Sequence, residues 1–164
     1  MMNRKTKKTT TRSHSFTLIE LMIVMVILGI LASLVLARVR NVTDDAARTT
    51  FLTNVRAYVT AAHRYRLRTN GYLPATASGD LPVGFETYIM PEGWVRRTTI
   101  GGRWDVELNT FGVTSALGVH FTGPEAQPDD AYMQEIDASL DDGDLATGAF
   151  QKLDVDRFYF IIAE

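Results

Sequence analysis

Ser15-Phe16-Thr17-Leu18-Ile19-Glu20-Leu21-Met22-Ile23-Val24-Met25-Val26-Ile27-Leu28-Gly29-Ile30-Leu31-Ala32-Ser33-Leu34-Val35-Leu36 decides how this chain is read. Residues 16–36 carry a single charge, Glu20, and the residues before them hold Arg4, Lys5, Lys7, Lys8 and Arg12 with no acid. As a helix the run would be about 31 Å long, against a hydrocarbon core of about 30 Å. Gly29, Ala32 and Ser33 are small enough to let a second helix approach closely. Backbone removed from water must satisfy its own hydrogen bonds, so helix is the predicted state. The basic residues predict a cytoplasmic N-terminus, with everything after Arg38 across a membrane. Glu20 then needs a reason, because an isolated carboxylate in low dielectric neutralises or finds a cation.

Three readings compete for this segment. A cleaved secretory signal has a shorter apolar stretch and a small-residue cleavage site, and residues 34–37 offer only weak candidates for one. An ordinary signal anchor accounts for length and orientation but leaves Glu20 unexplained. In the third reading the segment enters an assembly that supplies Glu20 with a cation. A fourth, plainer possibility is that Glu20 snorkels at the membrane boundary.

The run from Ser15 through Val24, continued by Ile27-Leu28-Gly29-Ile30-Leu31-Ala32, resembles the processing signature of type IV pilins and type II secretion pseudopilins. The resemblance implies that a membrane-embedded aspartyl prepilin peptidase removes residues 1–15, cutting between Ser15 and Phe16. The new Phe16 amine would then be methylated. Ser15 stands where the family normally has Gly. Glu20 becomes the fifth residue of the mature chain, and the amine of one subunit meets the Glu of its neighbour during assembly. Such a pair sets register even where its net energy is small. The resemblance is dense over residues 15–32 and architectural beyond 36.

The helix is expected to continue past the apolar run. Residues 39–68 contain no Pro or Gly, and Val42, Thr49, Leu52, Val55, Val59 and Ala62 recur at spacings that fit one face. Arg48, Arg56, Arg66 and Arg68 would supply polar surface. Thr69-Asn70-Gly71 reads as the stop, with Arg68 at the favourable end of the helix dipole. A local break at residues 43–45 would leave this architecture unchanged. His14 falls in the leader and His63 among arginines, so neither suggests catalysis.

Residues 71–164 suffice for one small head stabilised by the long helix. Strands are expected over 94–100, 103–108, 112–121 and 157–163, with Gly101-Gly102 as a hairpin turn between the first two. Pro128-Asp129-Asp130 would cap a short helix whose buried face is Met133, Ile136 and Leu140, although a strand over 132–136 is the alternative. Aromatic side chains of the strands would fill the core between sheet and helix. The predicted fold is α+β and pilin-like, a long N-terminal helix on a small, mainly antiparallel sheet. Its expected divisions are a leader (1–15), a transmembrane and filament-core helix (16–38), its amphipathic continuation (39–70) and an extracytoplasmic head (71–164).

Asp137, Asp141, Asp142 and Asp144 form the one grouping that suggests a metal. Oxygen-rich loops punctuated by Gly suit Ca²⁺, and some pseudopilins use calcium to stabilise the head. The spacing lacks the terminal Glu of an EF-hand loop, and a solvated turn with Asp141 or Asp142 as local caps is the competing reading. No cofactor is required by either.

Residues 71–164 carry five basic and 16 acidic side chains, a formal charge of −11. That surface argues against nucleic-acid binding by the head. The chain has no cysteine, so the disulfide-bounded loop common in adhesive pilins is missing, which favours a pseudopilin. No phosphate loop or nucleophilic constellation is present, so an enzyme is not expected.

The resemblance therefore implies a structural subunit of a type II secretion pseudopilus, inserted once in the bacterial inner membrane with its head in the periplasm. Assembled filaments would lie in the periplasm or at the cell surface and support protein export. Implied partners are the prepilin peptidase, other pilin or pseudopilin subunits and the inner-membrane assembly platform. The alternatives are a major or minor type IV pilin and a membrane-anchored extracytoplasmic binding module.

Overall fold

A computed structural model describes residues 17–123 and 129–164, with side chains described throughout except at 35–42. The chain divides into two compact units, Met1–Asn41 and Val42–Glu164. Helix α1, Leu18–Thr69, contributes to both. Ser15, Phe16, the leader and Pro128 lie outside the described residues.

In the first unit, α1 begins with a capping box formed by Thr17 and Glu20. The Glu20 amide donates to Thr17 Oγ1 at 3.3 Å, and the Thr17 amide donates back to Glu20 Oε2 at 3.3 Å. Each side chain thus satisfies a backbone donor that the first helical turn would leave open. The large apolar residues that follow stay uncovered, from 86% exposure at Leu18 to 46% at Val24 and 63% at Leu34.

The expected single-pass span over 16–36, and with it the inner-membrane placement, is overturned here. Among the described residues no helix is long and apolar enough to cross a membrane. The physical reason is charge: α1 carries Glu20 in its first turn, and a carboxylate is costly in hydrocarbon.

In the second unit α1 becomes the back of a packed head. Phe51, Val55, Tyr58, Val59, Ala61 and Ala62 are buried, with Leu52 partly covered. Phe51, Val55, Tyr58 and Ala62 follow the 4-3-4 spacing of one helical face. Thr49, expected on that face, is exposed and donates its hydroxyl to the Asp45 carbonyl at 2.8 Å. Residues 43–45 do not break the helix. It ends as the sequence suggested: Asn70 adopts φ 55° and its amide donates to the Arg66 carbonyl at 2.9 Å.

The sheet has four antiparallel strands in the order β1-β2-β4-β3: β1 Arg103–Thr110, β2 Val113–His120, β3 Phe150–Asp154 and β4 Arg157–Ala163. β1 and β2 form a hairpin in which Trp104 faces Val119 and Thr110 faces Val113. Gly118 of β2 lies against β4, and a Cβ there would collide with the Phe158 carbonyl. β3, which the sequence reading left unassigned, pairs with β4 in a short register interrupted near Lys152.

Residues 94–100 are not a strand. Pro91 opens a single helical turn, α2, Pro91–Val95, where its missing amide costs nothing. The turn aims Trp94 into the core, where its indole N–H donates to the Asp80 carbonyl at 2.8 Å. The Gly101-Gly102 turn does form, at φ 93° and 66°, but it joins only one bridged pair, Arg97 and Arg103.

Tryptophans centre the core. Trp104 stacks on Phe51 at 5.3 Å and meets Tyr58 edge-on at 4.8 Å, while Trp94 meets Phe85 edge-on at 5.4 Å. Helix α3, Asp130–Leu140, has Asp129 as its cap, with Oδ1 accepting from the Tyr132 amide at 2.8 Å. Its buried side chains include Met133 and Ile136, and Leu140 is partly covered, so the helical alternative for this segment holds. Arg48 and Arg56 do more than coat the surface, since they tie α1 to α3. Arg48 pairs with Glu135 at 2.5 Å and lies over the Tyr132 ring at 5.0 Å, and Arg56 donates to the Ser139 carbonyl at 2.5 Å.

Candidate functional site

Two places carry chemistry singled out from the sequence, and a third emerges only from the fold.

The first is the start of α1. Glu20 is exposed, and Thr17 donates to its carboxylate through both amide and hydroxyl at 3.3 Å. Its negative charge lies at the helix N-terminus, where the macrodipole favours it. Glu20 thus has a local role as well as any role towards a partner. The signal for it was present in the sequence as Thr-x-x-Glu before an apolar run. Further along, Gly29 has open space where a side chain would be, and Ser33 returns its hydroxyl to the Ile30 carbonyl at 2.7 Å. With Ala32 they leave a low, polar-satisfied step in the exposed apolar surface.

The second is the acidic loop after α3. Asp137, Asp141 and Asp142 each offer an oxygen, and these lie within 4.8 Å of one another. Asp137 is 0% exposed and no donor comes into hydrogen-bonding geometry with either carboxylate oxygen. Burial, then the charges of Asp142 and Asp141, push its carboxyl up to about 6 from the ordinary carboxylate range, against a smaller opposing pull from the Gly143 amide.

The loop backbone is built to aim these groups. Asp141 Oδ2 accepts from the Ala149 amide, Asp142 Oδ1 from the Asp144 amide at 2.9 Å, and Asp142 Oδ2 from the Thr147 hydroxyl at 3.1 Å. Gly148 lies so close that a Cβ would fall on the Asp141 carboxylate. Asp144 is turned elsewhere, capping the Ala146 amide at 3.0 Å, and is not among the converging three. Both readings of this loop are visible in it: local caps at Asp141 and Asp142, and an uncompensated buried carboxylate between them. Hard oxygen donors of this kind suit Ca²⁺.

The third place is a polar network on the sheet that the sequence reading missed. Asp105, 3% exposed, accepts from the Tyr159 hydroxyl at 2.7 Å, Ser78 Oγ at 3.0 Å and Arg157 Nη1 at 3.2 Å. Arg157 also pairs with Glu107. Burial, then the Asp105 charge and hydrogen bond, raise the Tyr159 phenol. His120 Nδ1 lies 2.6 Å from Ser78 Oγ and its Nε2 3.2 Å from Asp156 Oδ2. The order Asp156, His120, Ser78 has the look of a nucleophile with its base. Yet the next two amides are committed, Gly79 to the Trp104 carbonyl and Asp80 to the Ala77 carbonyl, both at 2.8 Å. They cannot form an oxyanion hole, so the network holds the loop 76–81 against β1 and β2. The partners of Asp105 lie 27 to 54 residues from it in sequence, and no local pattern marks them.

A long helix backing a four-stranded antiparallel sheet defines a pilin-like α+β protein. The solved structure of the major type IV pilin from Clostridium difficile shares this fold, with a TM-score of 0.51 at 16% identity, over 76% of this chain and 98% of that one. Residues 10–36 match the prokaryotic N-terminal methylation motif. Type II secretion system core protein G of Pectobacterium carotovorum subsp. carotovorum is 31% identical over 126 residues, 71% of this chain and 80% of that protein. Core protein G of Klebsiella michiganensis is 35% identical over 125 residues, and that of Pseudomonas aeruginosa 44% over 68, or 42% of this chain and 47% of that protein. The chain belongs to the type II secretion pseudopilin family, and is a pilin-like structural subunit rather than an enzyme.

Proposed function

We propose that this chain is a repeating subunit of a type II secretion pseudopilus, made competent by removal of residues 1–15. A prepilin peptidase would cut between Ser15 and Phe16, methylate the Phe16 amine and release the subunit to an assembly platform and to other pseudopilins. The observation that carries the reading is the helix 18–34, whose apolar side chains are uncovered along their whole described length. Burying each large side chain against neighbouring copies is worth about 1.5–3 kcal/mol, which makes helix packing the driving force. Gly29, Ala32 and Ser33 would let helices approach, and Glu20 would meet the Phe16 amine of the next subunit and set register.

The capping box sharpens the test of Glu20. Gln serves as well as Glu at that position of the box, so Glu20→Gln removes charge while keeping the cap. Crosslinking and mass spectrometry of cells expressing wild type and Glu20→Gln should show mature chains beginning at methylated Phe16 in both. Neighbour crosslinks should be present only in the wild type. Chains that retain residues 1–15, or Glu20→Gln chains that assemble normally, would refute the proposal. Pseudopilus is preferred to pilus because the curated relatives named above are core protein G and the chain has no cysteine for a disulfide-bounded loop.

The acidic loop would hold Ca²⁺ through Asp137, Asp141 and Asp142, with Asp144 shaping the turn. A bound cation would neutralise the buried Asp137 carboxylate and fix the connection from α3 to β3. Calcium should raise the melting temperature of the chain, and Asp137→Asn should abolish the rise. A wild-type melting curve indifferent to calcium would favour the solvated-turn reading.

A further inference from the structure

We infer that an acidic groove on the head, at the Asp44 end of the packed part of α1, receives Arg64 and Arg68 of a second copy of this chain. The inference rests on the filament reading above and adds the residues through which successive heads meet.

The groove has a volume of about 400 Å³ and is lined by Asp44, Ala47, Thr99, Ile100, Asp129 and Tyr132. Its walls are held in place on three sides. Thr99 Oγ1 donates to the Ala47 carbonyl at 2.7 Å, Asp129 caps α3, and Asp44 lies seven residues before the fully buried Phe51, on the same face of α1. Two carboxylates, an aromatic ring and Ile100 therefore face one opening. Among the described side chains of α1, the cation nearest the groove, Arg48, is committed to Glu135. Arg48 already lies over the Tyr132 ring at 5.0 Å, so what the groove offers a further guanidinium is its carboxylates, which accept hydrogen bonds in the guanidinium plane.

The matching group lies on the same helix. Arg64 and Arg68 are four residues apart, exposed, and have no acidic partner among the described residues. Arg66 is already stacked on Tyr72 at 4.6 Å. Leu67, 85% exposed, adds an apolar side chain beside them. Asp44 and Arg64 are about 30 Å apart along α1 and about 200° apart around it. One molecule cannot bring them together. The contact must join different patches on two copies, and such a heterologous contact propagates along a filament unless its rotation closes a ring.

The chain has no cysteine, so engineered pairs report cleanly. Asp44→Cys with Arg64→Cys is expected to give a ladder of covalent oligomers when assembled filaments are oxidised. Each single variant is expected to remain monomeric, and an equal mixture of the two singles to stop at dimers. A bridge within one copy is excluded, since disulfide-bonded Cα atoms lie within about 7 Å.

Filaments of the double-cysteine chain that yield only monomers would overturn the contact and leave the filament reading standing. Absence of filaments from the parent chain would overturn both. If the cysteine pair itself blocks assembly, charge reversal carries the test. Arg64→Glu with Arg68→Glu is expected to lower filament yield a few-fold and to flatten its salt dependence, with yield partly restored by Asp44→Lys. Unchanged yield and salt dependence in the reversed variant would overturn the contact.

Discussion

The two ends of α1 use apolar residues in opposite ways. Over 18–34 the large side chains are Leu, Ile, Val and Met, and every one is exposed. Over 51–62 the buried set includes Phe51 and Tyr58, fixed by stacking and edge contacts with Trp104 and Trp94. Aliphatic side chains offer area without orientation, which suits the proposed packing against copies of the chain. Aromatic rings carry a quadrupole and prefer defined geometries, worth about 0.5–1.5 kcal/mol per pair beyond their area. That suits a head which must fold before it assembles. The lesson is that one continuous helix can leave its apolar residues uncovered at one end and build a finished core at the other.

The sharpest way to break that distinction is to damage the finished core. Trp104→Ala removes the ring that joins Phe51 and Tyr58 and should cost about 3–5 kcal/mol in chemical denaturation of the chain. A loss under about 1 kcal/mol would mean that the head is less tightly packed than its rings suggest.

Next in size is the buried carboxylate of Asp137. Its carboxyl is raised to about 6 in the fold, so the folded head binds a proton more readily than the unfolded chain. The penalty is complete above about pH 6 and disappears below about pH 4, which makes the contribution of this group to stability rise as pH falls. With calcium chelated, the melting temperature should therefore rise between pH 7 and pH 5. The penalty is on the order of 3 kcal/mol, and Asp137→Asn should both stabilise the chelated head at pH 7 and flatten its pH dependence. A steeper fall of stability at acid pH in Asp137→Asn than in wild type would contradict this origin.

Smaller effects test the polar ties of the head. Tyr159→Phe removes the hydroxyl that donates to Asp105 at 2.7 Å and should cost about 1.5–3 kcal/mol, since the acceptor is charged. Asp129→Ala removes the cap of α3 and should cost about 1 kcal/mol. The smallest change in melting belongs to Glu20→Gln. It should leave the head transition unmoved while eliminating neighbour crosslinks, which would separate folding from assembly along one helix. A shift in head melting in that variant would show that the two ends are coupled.

Much of this division was legible in the residues. The capping signal Asp129, the stop at Asn70 and the strands around 103–108, 112–121 and 157–163 all rest on local backbone preference and short-range periodicity. The misreadings share a different cause. Residues 94–100 look like a strand by composition, yet Pro91 starts a helical turn and the core takes Trp94 from it. Thr49 has the right spacing for the core face, whereas Phe51 and Tyr58 fill it, because Trp104 of β1 and Trp94 of α2 decide which side chains find rings to pack against. β3 lacks a strong pattern of its own and is specified by the neighbouring β4.

The residues alone determined the family, the long helix, the apolar run with Glu20 at its start, and the acidic character of the head. Those properties depend on neighbours within a few positions and on net charge. Only the tertiary structure decided that Asp137 is buried without a donor while Asp144 turns away, that Ser78, His120 and Asp156 meet without an oxyanion hole, and that Asp44 shares a groove with Asp129. Each of these joins groups from separate elements, and burial and distance between such groups are set by packing, which no local stretch of sequence encodes.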